Sequence, residues 1–166
     1  MPGTLEDYAR AVTNVISTCR DAEQGFRAAA DAVADPMLKE LFEQYSLERG
    51  TFANELQAAV KMLGFDTPHP SGVGGLVHGI WMTIKGAFTG KNAHAILEEV
   101  ERGEDWSVKT YREALALNLP IEVRSTIQKQ YEQILQAHSR IRTLRDARAE
   151  HPTNTPPGPA TPVAPA

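Results

Sequence analysis

A chain of 166 residues is long enough for one domain with a full core and too short for two comfortable ones; 42% hydrophobic and 23% charged residues exclude a wholly disordered chain and an integral membrane protein. A formal net charge of -4 excludes nucleic acid as the main partner, since no basic stripe is dense enough to neutralise phosphates. Arg140, Arg142, Arg145 and Arg148 do cluster, but in the last turns of an expected helix, where cations meet the negative end of its dipole.

The opening "MPGTLEDYARAV" has no charged start followed by an apolar run, so no secretory signal is expected and the reading is cytoplasmic. Apolar residues at Leu5, Tyr8, Val12, Val15, Cys19, Phe26, Ala30 and Val33 recur at helical steps and mark one face of a first helix. Cys19 has no second cysteine to pair with, which excludes an internal disulfide, and it reads as a small core residue. Asp35 and Pro36 form a cap and a first helical position for a second helix, whose face carries Leu38, Leu41, Tyr45, Phe52, Ala59 and Leu63 and stops at Gly64. So tight a turn between two long helices makes them antiparallel.

The next segment, "FDTPHPSGVGGLVHGIWMTIKGAFTGKN", is rich in glycine and proline at both ends. Val73, Leu76, Val77, Ile80, Trp81, Ile84 and Phe88 give its middle one helical face, so it reads as a long crossover carrying an extra short helix. Its apolar run is too short to span a bilayer, and with only Lys85 and Lys91 as cations packing on the protein's own core is preferred to a membrane surface. His69, His78 and His94 show no ligand-like spacing. A third helix carries Leu97, Val108, Tyr111 and Leu115 and ends near "NLP". Pro120 then suits the first turn of a fourth, with Ile127, Tyr131, Ile134 and Ile141 on its face. Residues 1–150 thus read as an all-α four-helix bundle, and 151–166, "HPTNTPPGPATPVAPA", as a Pro-rich disordered tail that buries too little apolar surface to order itself.

Each long stripe is interrupted by an ionisable residue. Glu23 falls between Cys19 and Phe26, Glu48 between Tyr45 and Phe52, Glu101 and Glu104 between Leu97 and Val108, and His138 between Ile134 and Ile141. Burying an unpaired carboxylate is costly, and burying several together is worse without a cation to hold them. The bland alternative is that these groups reach solvent or pair with arginines such as Arg20, Arg27 and Arg49. Helix arithmetic tests whether they meet. Glu23 and Glu48 lie about twelve residues either side of the Asp35 turn, or about 18 Å from it; Glu101 and His138 lie about eighteen residues either side of the Asn118 turn, or about 28 Å. If the second and third helices run parallel, the turns sit at opposite ends, and about 46 Å matches helices of about 28 to 30 residues. A parallel pair is what the long crossover permits.

These residues resemble the ferritin-like superfamily, whose bundles hold a dinuclear iron site with Glu on the first and third helices and Glu-x-x-His on the second and fourth. Under that resemblance Glu23, Glu48, Glu101, Glu104 and His138 match metal ligands; the Glu-x-x-Glu of Glu101 and Glu104 is similar to rubrerythrin. Two positions depart from it: "ERGT" has Thr51 for His, and "LQAH" has Leu135 for Glu. More closely, "EQGFRAAADAVADPMLKELFEQYSLERGTFANELQ", "GIWMTIKGAFTGK" and "ILEEVERGEDWSVKTYREAL" look like a bacterial family of ferritin-like four-helix-bundle proteins of uncharacterised function. Ferritin-like relatives imply iron-dependent oxidation, peroxide reduction or iron storage. The expectation is a degenerate carboxylate and histidine site for Fe(II), Mn(II) or Zn(II), with Tyr45, Trp106 and Tyr131 nearby as packing groups. The alternative is a metal-free interaction or stress module that kept the fold and lost the site. Gly103 would allow close approach of a second copy in a homodimer; other protein partners are not legible.

Overall fold

The computed structural model describes residues 3–64 and 92–149. The expected crossover helix and Pro-rich tail lie outside them. Within them the chain forms α1 (Leu5–Ala32), α2 (Pro36–Met62), α3 (Ala93–Leu115) and α4 (Ile121–Ala149), and no strand.

Local chemistry sets the helix limits. The Thr4 hydroxyl accepts the Asp7 amide at 3.2 Å while Asp7 accepts the Thr4 amide at 2.8 Å, a reciprocal capping box that satisfies donors the first turn leaves open. Asp35 caps α2 by accepting the Met37 amide at 2.9 Å, with Pro36 at the first helical position, where its missing N–H is no loss. Gly64, at φ 77°, ends α2, a conformation that only glycine adopts cheaply. Asn92 caps α3 through the Ala95 amide at 2.9 Å. The Arg124 guanidinium donates to the carbonyls of Leu115 and Leu117 at 2.8 and 3.1 Å, holding the turn between α3 and α4.

α1 packs against α2 and α3, and α4 against the same two, leaving α2 and α3 on a diagonal. Arg148 reaches Asp35 at 2.7 Å while Gln130 reaches the Phe52 carbonyl at 3.2 Å, so α4 runs antiparallel to α2. Ile96 and Leu97 share a core cluster with Leu38 and Phe42, whereas Ala114 shares one with Leu56 and Val60. α2 and α3 therefore run the same way, and the two turns lie at opposite ends, as the level arithmetic requires.

The core is divided. One block gathers Val12, Ile16, Phe52, Leu56, Tyr111 and Ile127, the other Phe26, Ala29, Leu38, Phe42, Leu97 and Ile141. Each fully buried large apolar side chain contributes about 1.5 to 3 kcal/mol as an upper estimate. Buried polar groups persist in the first block: Tyr111 donates to Gln130 at 2.8 Å, Gln130 donates to Glu55 at 2.9 Å, and the Cys19 sulfur lies 3.0 Å from the Tyr111 oxygen. Burial pushes the Cys19 thiol up to about 11, so it stays a neutral core group. Gly103 is buried in the monomer, so the close approach it permits does not lie at a free surface.

The stripe on α4 differs from the expected one. Its buried residues are Val123, Ile127, Gln130, Ile134, Ala137 and Ile141, a strict alternation of four- and three-residue steps. Tyr131 and His138 sit one residue to the side, half-buried. Gln130 is polar and Ala137 small, so neither advertises a core position, and at 3.6 residues per turn either neighbour fits the periodicity.

Candidate functional site

Between the two apolar blocks every helix contributes polar atoms at one level. The Ser46 hydroxyl of α2 donates to the Glu23 carbonyl of α1 at 2.7 Å. Arg49 of α2 meets Glu104 of α3 at 2.7 Å, and His138 of α4 meets Asp105 of α3 at 2.6 Å. The four helices thus bring the anticipated residues to a common height without converging them on one point.

Depth separates them into two groups. In the interior, Arg49 and Glu104 both have 0% exposed side chains. One guanidinium arm binds Glu104 and the other binds Glu48, which is partly exposed. The rings of Phe26, Tyr45 and Phe52 surround the guanidinium with centroids 5.5, 5.8 and 5.4 Å away, distances at which ring faces attract a cation. Burial pushes the Glu104 carboxyl above its ordinary range, opposed by the adjacent Arg49. Burial also works against the Arg49 charge, but Glu104 and then Glu48 raise its affinity for the proton above the ordinary value. The Glu23 carboxylate lies over Gly50, where a Cβ would stand 2.7 Å from its Oε1, and it also faces Arg20 at 3.4 Å.

At the α3 and α4 edge, Glu101 is buried but accepts from Arg142 at 3.2 Å and from Arg145. His138 is 14% exposed and Asp105 63%. Oxygens of Glu101 and Asp105 and a ring nitrogen of His138 lie within 4.8 Å of one another. Such a set could close on a cation.

The residues present do not fit the dinuclear iron centre that the ferritin-like resemblance implies. A permanent cation, Arg49, already stands among the seam carboxylates. Thr51, at the position of a histidine ligand, is exposed and bonds the Leu47 carbonyl at 3.0 Å. Leu135, at the position of a glutamate ligand, is 40% exposed, so the backbone does not aim that position into the seam.

Four residues gain roles that sequence reasoning did not give them. Asp105 was unmarked, although it lies four residues after Glu101 and so shares its helix face. Arg142 and Arg145, expected at a solvated helix end, lie four and seven residues after His138, on its face of α4, and hold Glu101. Arg49 was only one pairing option among three arginines. The aromatic groups act in packing: Tyr45 lies 5.4 Å from Phe26, Tyr131 stacks on Tyr111 at 6.5 Å, and Lys109 sits 4.9 Å over Trp106.

No helix among the described residues is long and apolar enough to cross a membrane. A family model described as a domain of unknown function, DUF2383, matches residues 7–117, which covers most of α1 and all of α2 and α3. The chain belongs to that family. No curated protein matches it.

Proposed function

We propose that this chain, with the DUF2383 domain as its frame, is a ferritin-like bundle distantly related to rubrerythrin that binds one divalent cation through Glu101, Asp105 and His138 at the edge of its polar seam. The observation that carries the proposal is the mutual approach of the three ligand atoms within 4.8 Å. Two carboxylates and an imidazole suit Fe(II), Mn(II) or Zn(II). A cation held there would act as a Lewis acid toward an oxygen ligand in its open positions. The chain's own part is to hold His138 against Asp105 and to keep Glu101 in place through Arg142 and Arg145. Arg142 is 58% exposed and free to swing away when a metal takes a Glu101 oxygen. Of the sequence-matched residues, Glu23, Glu48 and Glu104 then serve the interior and not the ion. The reading is of a cytoplasmic protein.

A second reading, a metal-free bundle, is favoured by the arginines that already engage both Glu101 oxygens. Metal analysis of protein purified without chelator separates the two. The expected result is near-stoichiometric metal that is lost in Asp105→Asn, His138→Ala. Adding Zn(II) or Mn(II) at about 100 times Kd should stabilise by about 2.7 kcal/mol, a Tm rise of about 5 to 10 °C at this chain length. No metal, and no Tm response to either ion, would leave the metal-free reading.

A further inference from the structure

The interior group has features that a simple surface ion pair lacks. Glu104 is completely buried, yet only its Oε2 is bonded; its Oε1 and the Arg49 Nε have no hydrogen-bond partner among the described residues. Two carboxylates, Glu48 and Glu104, contact one guanidinium, so one negative charge is left over that a doubly charged ion would cancel. Gly50 leaves the space over which a third carboxylate, Glu23, is folded.

We infer that the Arg49 guanidinium is the resident cation of this seam, standing between Glu48 and Glu104 where a divalent ion would sit, and that removing it converts the seam into a metal site. An arginine cannot be titrated away in the working range, so the seam keeps one positive charge whatever the metal supply. The guanidinium is a planar fork with fixed donor directions, and it leaves the second Glu104 oxygen unmet. A spherical ion has no such directional limit and can take both oxygens of a carboxylate. The enclosing rings of Phe26, Tyr45 and Phe52 favour any cation at this place over a neutral group.

The test uses the full chain carrying Asp105→Asn, which disables the edge cluster and leaves the interior intact, so that failure here is distinct from failure of the edge proposal. In that background Arg49→Met replaces the cation by a shorter, unbranched apolar chain that leaves the guanidinium's place open. With Mn(II) as the probe, binding is read as loss of the free-ion EPR signal. The expected result is at least tenfold tighter binding of one Mn(II) than in Asp105→Asn alone, a Tm that rises on adding Mn(II), and loss of both when Glu104→Gln is added. Mn(II) affinity unchanged by Arg49→Met, or unchanged by the further Glu104→Gln, would overturn the inference. If the Arg49→Met protein fails to fold in chelator, refolding is repeated with Mn(II): recovery that depends on the ion supports the inference, and failure with the ion present overturns it.

Discussion

Glu104 and Asp105 are consecutive on α3, yet the charges around them are handled in different ways. Glu104 shares a completely buried pair with Arg49, ringed by three aromatic side chains. Asp105 lies in the open, paired with His138 and within 4.8 Å of an oxygen of Glu101, which partly exposed arginines hold. In the interior the low dielectric makes an unpaired charge very costly, so compensation must be built in and permanent. At the edge Glu101 is buried, but its arginine partners and Asp105 reach water, which screens their charges and lets partners exchange at smaller cost. A fixed cation inside and exchangeable cations outside are therefore two answers to one polar layer, chosen by depth.

The largest expected effect breaks the interior answer. Arg49→Ala leaves Glu104 buried without its partner and should cost about 3 to 5 kcal/mol, seen as a Tm drop of about 6 to 20 °C. Replacing both partners, Arg49→Met with Glu104→Leu, removes the charge problem and should return stability to within about 1 kcal/mol of the parent or above it. If the single change cost no more than an edge substitution, depth would not be what separates the two groups.

An intermediate effect tests whether neutral polar groups in the interior obey the same rule. Tyr111→Phe removes the donor to Gln130 and the hydroxyl next to Cys19, leaving a buried amide oxygen unpaired at about 1 to 2 kcal/mol. Urea unfolding would show it as a lower midpoint at unchanged slope. At the edge, Glu101→Gln removes the charge of a buried side chain whose arginine partners reach water, and should cost about 1 to 2 kcal/mol at low salt. The loss should shrink in 0.5 M NaCl, where the Debye length falls to roughly 4 Å, whereas the cost of Arg49→Ala should hardly change. A Glu101→Gln cost insensitive to salt would mean that the arginines act on it as a buried network.

Much of the frame was legible in the sequence. Asp35, Pro36 and Gly64 announced the ends of α2 because caps and positive φ values demand particular residues, and the length of the crossover allowed the parallel α2 and α3 on which the level arithmetic depends. What was not legible was the choice between neighbours within a stripe. The periodicity of α2 points Glu48 inward, and the structure turns Arg49 inward; on α4 the same one-residue shift puts His138 at the edge. A periodicity of 3.6 accepts steps of three or four, and an arginine reads as a surface residue until its acidic partner on a diagonal helix is known. Glu101 and Glu104 were read as buried and are, because α3 is buried over so wide an arc that either step leads inward.

The smallest expected effect supplies a reference pair from the end of the bundle. Arg148, hydrogen-bonded to Asp35, does most to lower its carboxyl below the ordinary 3.8; burial opposes it, and the backbone amides of Met37 and Leu38 add to the lowering. A depressed carboxyl pKa stabilises the fold fully above the ordinary value, and that stability is lost as pH falls through the lowered one. Asn at position 35 keeps the helix cap and removes only the charge. Both side chains are about a quarter to a third exposed, so screening limits the pair to a few tenths of a kcal/mol up to about 1 kcal/mol. Asp35→Asn should therefore be slightly less stable than the parent at pH 6, and the two should converge as pH falls below the ordinary 3.8 and through the lowered value. A difference that persisted in acid would have to come from packing or from the cap, and an exposed pair could then no longer stand as the purely electrostatic reference for the seam.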